Sequence, residues 1–179
     1  VQGRWQLRAL AKLRFIKQVL VFDNSPFIAG KFVAELAREM DAKLVPVNSL
    51  AEALIDADIV LSATWSRSPF LYSGMVNEGV HISTLGADEP GKAETSADLL
   101  GQSLVVCDDR DLAVSQGAVG NVGLTAESIH AELGEVLSGH KHGRQSDDDI
   151  TVFASVGLAW QDLIAAWQVY QTALEKGVG

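Results

Sequence analysis

The chain has 179 residues, of which 47% are apolar and 21% are charged, and its formal net charge is −9 at pH 7. This length can bury one sizeable core. The acidic balance argues against nucleic acids and anionic membrane surfaces as partners, because both select clustered Lys and Arg. The chain has no bilayer-length apolar run, no leader at its start and a single cysteine, Cys107. We therefore expect it in the reducing cytoplasm.

Strands and helices are predicted to alternate along the chain. Apolar residues at helical spacing predict a helix over residues 3–13, and the apolar run 19–22, closed by Asp23, predicts a buried strand. Ser25 and Pro26 are typical of a helix cap and a first helical position. The later elements are strands at 44–47 (an edge strand, since it contains Pro46), 58–63, 80–85 and 103–107, helices at 49–56, 96–101 and 128–138, and polar loops at 64–68 and 139–149. This alternation indicates an α/β domain with a parallel sheet.

The last segment carries an apolar seam. Its members, which alternate in steps of four and three, are Val156, Trp160, Leu163, Trp167, Tyr170 and Leu174. That spacing predicts one long helix. The seam packs either on the sheet of this domain or on a structure that the chain does not contain. We favour the second interpretation, because other predicted helices already suffice to cover the sheet.

The first residues match the end of a dinucleotide-binding motif. A Rossmann unit opens with a strand, a Gly-x-Gly-x-x-Gly turn and a helix whose N-terminus receives the pyrophosphate. Here Val1, Gln2 and Gly3 lead directly into the first predicted helix, so Gly3 fits the last motif glycine. The first two glycines and their strand would lie upstream of Val1. We therefore expect the chain to be a piece of a longer protein, in keeping with a first residue other than Met.

Asp23 supports a nucleotide site. It ends the strand at 19–22, about 20 residues beyond Gly3, where an acid binds the adenosine ribose hydroxyls. A carboxylate there repels a 2′-phosphate, so NAD is favoured over NADP. The alternative is an acid that caps the following helix or is solvated at the strand end.

The segment 86–92, Gly-Ala-Asp-Glu-Pro-Gly-Lys, directly follows a predicted strand. Ligands of open α/β sheets bind at the carboxyl ends of strands. Asp88 is therefore placed for acid/base chemistry or for an amine partner, and Lys92 for a phosphate or ribose. From the residues alone, a Gly-Pro turn with solvated charges is a slightly better interpretation. His140 and His142 have no acids at ligand spacing, so no metal site is expected.

Together these motifs resemble the ornithine cyclodeaminase/mu-crystallin family, in family order across nearly the whole chain. The glycine-acid-proline-glycine-lysine stretch and a Ser-Val-Gly-Leu-Ala stretch are specific to the family, and the others support it. The matching stretches are 1–4, 21–23, 57–60, 62–64, 86–92, 131–136, 143–147 and 152–159.

The resemblance implies a Rossmann-like, doubly wound parallel sheet that lacks its first strand and is followed by a long C-terminal helix. Residues 1–150 would form the NAD-binding domain, truncated at its N-terminus. Residues 151–179 would return to a substrate and dimerisation domain that is missing from this sequence. The protein would be a homodimer through that missing domain, and the return explains the apolar seam.

The resemblance also implies roles for individual residues. Asp88 would be the acid/base beside the substrate amine, and Val156 would line the substrate pocket. Contacts to NAD would come from Val1 and Gln2 at the pyrophosphate, from Asp23 at the adenosine ribose, and from Thr64, Lys92 and Ser155. In the family the substrate-binding Lys and Arg belong to the first domain, so this chain alone is expected to be inactive.

The implied reaction is redox chemistry on an α-amino acid. NAD would accept a hydride from the α-carbon, and ornithine would become proline with loss of ammonia. Reduction of a cyclic imine (a ketimine) and alanine dehydrogenation are alternatives within the family. A non-catalytic, crystallin-like protein that binds a nucleotide and a small ligand is another, although it has no use for Asp88. An NAD-dependent dehydrogenase of another family would give Lys92 and Ser155 no role.

Overall fold

A computed structural model of the chain describes residues 1–178, in which helices and strands alternate. The helices are α1 (Gln2–Leu13), α2 (Pro26–Leu36), α3 (Leu50–Leu54), α4 (Ala97–Gly101), α5 (Arg110–Ser115), α6 (Leu133–Leu137) and α7 (Ala159–Lys176). The strands are β1 (Gln18–Val21), β2 (Lys43–Pro46), β3 (Ile59–Ser62), β4 (Arg67–Leu71), β5 (His81–Thr84), β6 (Ala93–Thr95), β7 (Leu104–Cys107), β8 (Ala131–Glu132) and β9 (Thr151–Ala154). Gly179, the end of the predicted C-terminal segment, lies outside the described residues.

The strand pairs of the described residues all run parallel. A five-stranded sheet has the order β3-β5-β9-β7-β8, which puts the last strand at its centre, and β1-β2 and β4-β6 form separate pairs. Parallel neighbours that are distant in sequence need crossover connections, which the helices supply. The predicted Rossmann-like α/β class is confirmed.

The core surrounds the middle of the five-stranded sheet. Ile82 on β5, Val105 on β7 and Val152 on β9 are at most 1% exposed. Leu99 and Leu100 of α4 belong to the same cluster. Parallel strands covered on both faces are nearly continuous apolar runs, because neither face meets water. The loops at the strand ends therefore rest on a well-packed support.

Several local predictions are confirmed. Pro26 opens α2, and Ser49 Oγ accepts a hydrogen bond from the N–H of Glu52 at the start of α3 (3.2 Å). Pro46 ends β2, whose pairing is with β1 alone among the described strands. A proline has no N–H for the ladder, so it is tolerated on such an edge.

The predicted loop over 64–68 is wrong in its second half, where β4 already begins. The strand is fixed by contacts distant in sequence: the N–H of Ala93 donates to the carbonyl of Ser66 at 3.0 Å, and the N–H of Ser96 donates to the carbonyl of Leu71 at 2.9 Å. Its first residues, Arg67 and Ser68, are exposed and polar, so the sequence gives no apolar run.

The predicted helix over 128–138 is also mostly wrong. Only Leu133–Leu137 is α-helical, Ser128 ends a short 3-10 helix, and Ala131–Glu132 pairs with Val106–Cys107 of the central sheet. Ala131 is fully buried there. Pairing with β7 removes a strand edge and an apolar side chain from water, which outweighs the helical preference of the sequence.

The C-terminal helix α7 begins at Ala159, so Val156 lies in the turn before it rather than on its seam. Trp160, Trp167 and Tyr170 are 55%, 58% and 53% exposed. The prediction that this face does not pack on the sheet of its own domain is confirmed. None of the described helices has the length and apolar character to cross a membrane.

Candidate functional site

The carboxyl ends of the parallel strands meet at one edge of the five-stranded sheet. Because β3, β5, β9 and β7 are neighbours in that order, the segments that leave them lie side by side. They carry Thr64 after β3, Asp88 and Lys92 after β5, Ser155 and Val156 after β9, and Asp108 after β7. The structure thus brings five of the predicted site residues to the edge where open α/β sheets bind ligands.

Glu94, on β6, joins the segments that leave β3 and β5. Its fully buried carboxylate accepts hydrogen bonds from the N–H of Thr64 (2.6 Å), the hydroxyl of Thr84 (2.7 Å) and the N–H of Gly86 (2.8 Å). Three donors compensate the burial of this polar group. A Cβ at Gly86 would lie 2.3 Å from the carbonyl oxygen of Thr64 and 2.4 Å from Glu94 Oε1. Only glycine therefore fits at the base of the loop.

Asp88 and Lys92 form an ion pair within the same loop. Lys92 Nζ lies 2.9 Å from Asp88 Oδ1 and 3.4 Å from Glu89 Oε1. The hydrogen bond to Asp88 raises the pKa of Lys92, so the ammonium group stays charged. The side chain of Lys92 is 6% exposed and that of Asp88 is 47% exposed. The carboxylate of Asp88 is thus accessible to a ligand. On its buried side it is held by the ammonium group of Lys92.

The side chains of Trp65 and Asn121 also contact this loop. The ring of Trp65 lies 4.1 Å from Lys92 Nζ in a cation–π contact. Asn121 accepts a hydrogen bond from the N–H of Gly91 at 3.2 Å and donates to the carbonyls of Glu89 and Lys92, each at 2.9 Å. The alternative of a Gly-Pro turn with solvated charges is therefore wrong for Lys92, whose charge is buried and paired.

Asp108, at the end of β7, holds the turn after β9. Its Oδ2 accepts hydrogen bonds from Ser155 Oγ (3.0 Å), from the N–H of Val156 (3.0 Å) and from the N–H of Gly157 (2.7 Å). Gly157 has a φ of +93°, which favours glycine. Ser155 and Val156 are therefore fixed by a residue of the neighbouring strand.

Asp23 and the first residues of α1 lie apart from these loops. Asp23 Oδ1 accepts a hydrogen bond from the N–H of Ser25, the residue before α2, at 2.8 Å, but no side-chain hydrogen bond caps the helix itself. Gln2 begins α1 and Val1 directly precedes it, and both are exposed. Among the described residues, no hydrogen bond or ion pair links Val1, Gln2 or Asp23 to the loop of Asp88.

Sequence analysis missed four residues of this edge: Trp65, Glu94, Asp108 and Asn121. A signal existed for Asp108, because it directly follows an apolar strand, as Asp23 does. Glu94 is a lone acid in a short strand whose three residues are all buried. Nothing in the sequence indicates its partners, which lie 30, 10 and 8 residues away.

Other reactive side chains do not form a site. Residues 1–178 contain no group of three or more His, Cys, Asp or Glu placed to hold a metal ion. Cys107 is buried, and desolvation raises the pKa of its thiol to about 12. It is therefore a core residue, as its apolar strand predicts, and not a thiolate nucleophile.

The chain is similar in sequence and fold to several dehydrogenases and reductases. It is 38% identical to an alanine dehydrogenase of Archaeoglobus fulgidus, covering 99% of this chain and 56% of that relative. It resembles a solved archaeal alanine dehydrogenase dimer with bound NAD (TM-score 0.92, 37% identity, 99% of this chain and 56% of that chain). It also resembles the Δ1-pyrroline-2-carboxylate reductase of Thermococcus litoralis in complex with NADH and L-proline (TM-score 0.93, 34% identity, 99% of this chain and 57% of that chain). The chain thus spans a little over half the length of the proteins that it matches.

The family model of the ornithine cyclodeaminases and mu-crystallins matches residues 1–177. This range includes both the strand-end loops and α7. The resemblance indicated by the motifs is therefore confirmed. The chain belongs to the ornithine cyclodeaminase/mu-crystallin family.

Proposed function

We propose that the chain is the NAD-binding part of an enzyme that transfers a hydride between NAD and the α-carbon of an amino or imino acid. The observation that carries the proposal is the exposed carboxylate of Asp88, held at the strand ends by the buried Lys92 and next to the clamped turn of Ser155. Ligands bind at this edge of Rossmann-like sheets. Similar structures have been solved with NAD or NADH bound.

The residues of this chain fit NAD along the strand ends. The first N–H groups of α1, which begins at Gln2 after Val1, have no helical acceptor and can receive the pyrophosphate. Asp23 has a second carboxylate oxygen, beyond the one that binds Ser25, to offer the adenosine ribose. Its charge favours NAD over NADP. The remaining contacts would come from Thr64, Lys92 and Ser155.

NAD, when bound, supplies the hydride acceptor, and Asp88 would supply the proton chemistry. Its carboxylate would bind the substrate ammonium, accept a proton from it and return one to the departing nitrogen. Lys92 holds that carboxylate from the buried side. Val156 would line the pocket for the substrate side chain. Asp88 is then the catalytic residue of this part of the protein.

The conversion of ornithine to proline with release of ammonia is the most specific form of the proposal, and family membership supports it. Alanine dehydrogenation and reduction of a cyclic imine are two further forms, supported by relatives that are 38% and 34% identical to this chain. All three share hydride transfer at an α-carbon and proton transfer between Asp88 and the α-nitrogen, although that nitrogen leaves only in the two deaminating reactions.

The architecture proposed for the whole protein adds a second domain. Residues 1–150 would be the NAD-binding domain, and 151–179 would return to a substrate and dimerisation domain outside this chain. The exposed aromatic face of α7 supports that return. Because substrate-binding Lys and Arg would come from the other domain, the chain alone would be inactive. The complete protein would be a cytoplasmic homodimer.

Turnover by the full-length protein tests the proposal. Amino acids are offered with NAD, and cyclic imino acids or pyruvate plus ammonia are offered with NADH. We expect a change in NADH absorbance with one member of the panel or, for ornithine, release of ammonia and proline without net change in NADH. A protein that binds NAD and turns over no member would instead be a crystallin-like binding protein.

A further inference from the structure

The contact between Asp108 and Ser155 determines how that serine can bind a ligand. We propose that Asp108 is a positioning residue that engages the only proton of the Ser155 hydroxyl, so that Ser155 binds its ligand solely as a hydrogen-bond acceptor. This inference rests on the proposed contact between Ser155 and the cofactor. It adds which chemical groups of the cofactor can contact the hydroxyl of Ser155.

Every hydrogen-bond partner of the Asp108 carboxylate among the described residues is a donor. Oδ2 accepts from the N–H groups of Val156 (3.0 Å) and Gly157 (2.7 Å), and Oδ1 accepts from the N–H of Asp109 (3.0 Å). Backbone N–H groups cannot exchange roles, so the carboxylate is held as an acceptor. Ser155 Oγ, 3.0 Å from Oδ2, must then donate to it.

A serine hydroxyl has one proton and two lone pairs. In Ser155 the proton points to Asp108, and the lone pairs are left for a ligand. A group that only accepts hydrogen bonds, such as a phosphate or carboxylate oxygen, finds no donor on Ser155 and is also repelled by the charge of Asp108. The ligand group at this position must therefore carry N–H or O–H.

The position of Ser155 narrows the choice of cofactor group. Ala154 of β9 is paired with Thr84 of β5, and the N–H of Ser155 donates to the carbonyl of Thr84 at 3.2 Å. Ser155 thus lies beside the loop of Asp88, where hydride transfer is proposed, and not beside Asp23. In the nicotinamide half of NAD the donors are the carboxamide N–H groups and the ribose hydroxyls.

Two analogues tested on the full-length protein distinguish these donors. In 3-acetylpyridine adenine dinucleotide the carboxamide N–H groups are absent, and in the second analogue both the 2′- and the 3′-hydroxyl of the nicotinamide ribose are absent. We expect the wild-type protein to bind one analogue about 3- to 10-fold more weakly than NAD, the loss of one neutral hydrogen bond. Ser155→Ala should weaken NAD binding and abolish that preference. The analogue concerned identifies the donor.

Asp108→Ala frees the hydroxyl of Ser155 to rotate, so we expect the preference for NAD to shrink. When Asp108→Ala is added to Ser155→Ala, the ratio of the affinities for NAD and the analogue should not change further. Asp109 is the matched control: its carboxylate accepts a hydrogen bond from the N–H of Leu112 at 2.8 Å and caps α5. Asp109→Ala removes the same charge one residue away and should keep the wild-type preference. Should Asp108→Ala fail to fold, the Ser155→Ala comparison still decides.

Equal wild-type affinity for NAD and both analogues would overturn the inference. The inference would also be overturned if Ser155→Ala bound NAD more weakly but kept the full preference for NAD over the analogue. Ser155 would then still contact the cofactor, but not as the acceptor for that donor. If Ser155→Ala bound NAD as tightly as the wild type, Ser155 would not contact the cofactor and the inference would lose its premise. Hydride transfer with the substrate panel would meanwhile report on the proposed function independently.

Discussion

The carboxylate of Asp88 is paired with Lys92 yet 47% exposed, so it can exchange a proton with a bound amine. Asp88→Asn keeps the shape of the side chain and removes that exchange. Positioned acid/base help contributes about 10²- to 10⁴-fold in rate. We expect kcat of the full-length enzyme to fall by that factor, with NAD affinity nearly unchanged, as measured by steady-state kinetics and NAD titration.

Glu89 provides the control for this substitution. It lies 3.4 Å from Lys92 on the same loop and is 49% exposed, so Glu89→Gln changes a similar charge without touching the proposed proton path. Its kcat should remain near that of the wild type. Normal turnover and a lower melting temperature in Asp88→Asn would show that Asp88 only stabilises the loop.

Asp23 should decide the choice of nucleotide. Asp23→Asn keeps an oxygen for the N–H of Ser25, so the start of α2 is preserved, but the charge that opposes a 2′-phosphate is lost. A hydrogen bond to a charged group contributes about 1.5–3 kcal/mol. We therefore expect the affinity of Asp23→Asn for NAD to fall about tenfold or more. The ratio of its NAD affinity to its NADP affinity should fall as well. Titration with both nucleotides checks this, with the exposed Asp41→Asn as control, and tighter NADP binding by the wild type contradicts it.

His81 should make stability depend on pH. Its Nδ1 lies 2.8 Å from Thr151 Oγ1 and its Nε2 lies 3.2 Å from Ser83 Oγ. Burial lowers the pKa of His81, and the charge of Arg144 acts in the same direction. Below the unfolded-state value of about 6.5 the unfolded chain therefore binds more protons than the folded chain. The stability due to neutral His81 is complete above that pH and is lost as the pH falls.

Melting temperatures measured between about pH 8 and pH 5 test this dependence. His81→Gln should flatten the decline on the acidic side, whereas the exposed His142→Gln should leave the curve as in the wild type. A curve of equal steepness in all three proteins would refute the role of His81.

At the residue scale, the order of strand and turn was enough to place Asp88 and Lys92 at the end of a strand, whereas Ser155 was indicated only by the family resemblance. Local motifs were insufficient for Glu94 and Asp108. The function of these two carboxylates is to accept hydrogen bonds from segments up to 30 and 49 residues away. Such pairings depend on strand order, which periodicity does not reveal.

Among the elements, α7 has a large face that the described residues leave uncovered. Trp167 and Tyr170 lie with ring centroids 5.6 Å apart, and both are more than half exposed. An apolar face of this kind marks an interface. We therefore expect Trp167→Glu to change the stability of this chain alone by less than about 0.5 kcal/mol. In the full-length protein, where the face would be buried, it should cost about 3–5 kcal/mol.

Denaturant unfolding of both proteins measures the difference. Gln168, the exposed polar neighbour on α7, is the control, and Gln168→Glu should be neutral in both. Equal effects of Trp167→Glu in the two proteins would contradict docking of α7 on a second domain.

The accuracy of element prediction followed local chemistry. The cap at Ser49 and the proline at the start of α2 were predictable, because a hydroxyl or a fixed φ acts within one turn. The short strand Ala131–Glu132 and the helix α5 were not. The first is set by pairing with β7, and the second has six residues and too few apolar positions to show a period.

At the scale of the whole molecule, the sheet is divided. Among the described strands, β1 pairs only with β2 and β3 pairs only with β5. Helix α1 contacts β3, and ion pairs link it to α2 (Arg4–Glu35) and to the turn after α2 (Arg8–Glu39). One edge of β1 and one edge of β3 are therefore left unpaired among the described strands. The alternation of strands and helices was predictable from the sequence, but this division of the sheet was not, because it depends on the strand order.

Hydride transfer at an α-carbon is the central feature of the proposed function, and isotope labelling of the full-length protein tests it most directly. NADH deuterated at C4 of the nicotinamide is incubated with pyruvate plus ammonia and, separately, with cyclic imino acids. Mass spectrometry then locates the deuterium. We predict deuterium on the α-carbon of the amino acid, acyclic or cyclic, that is formed from one of these substrates, with an equal amount of NAD. If NADH binds but transfers deuterium to none of these substrates, hydride transfer at an α-carbon is contradicted.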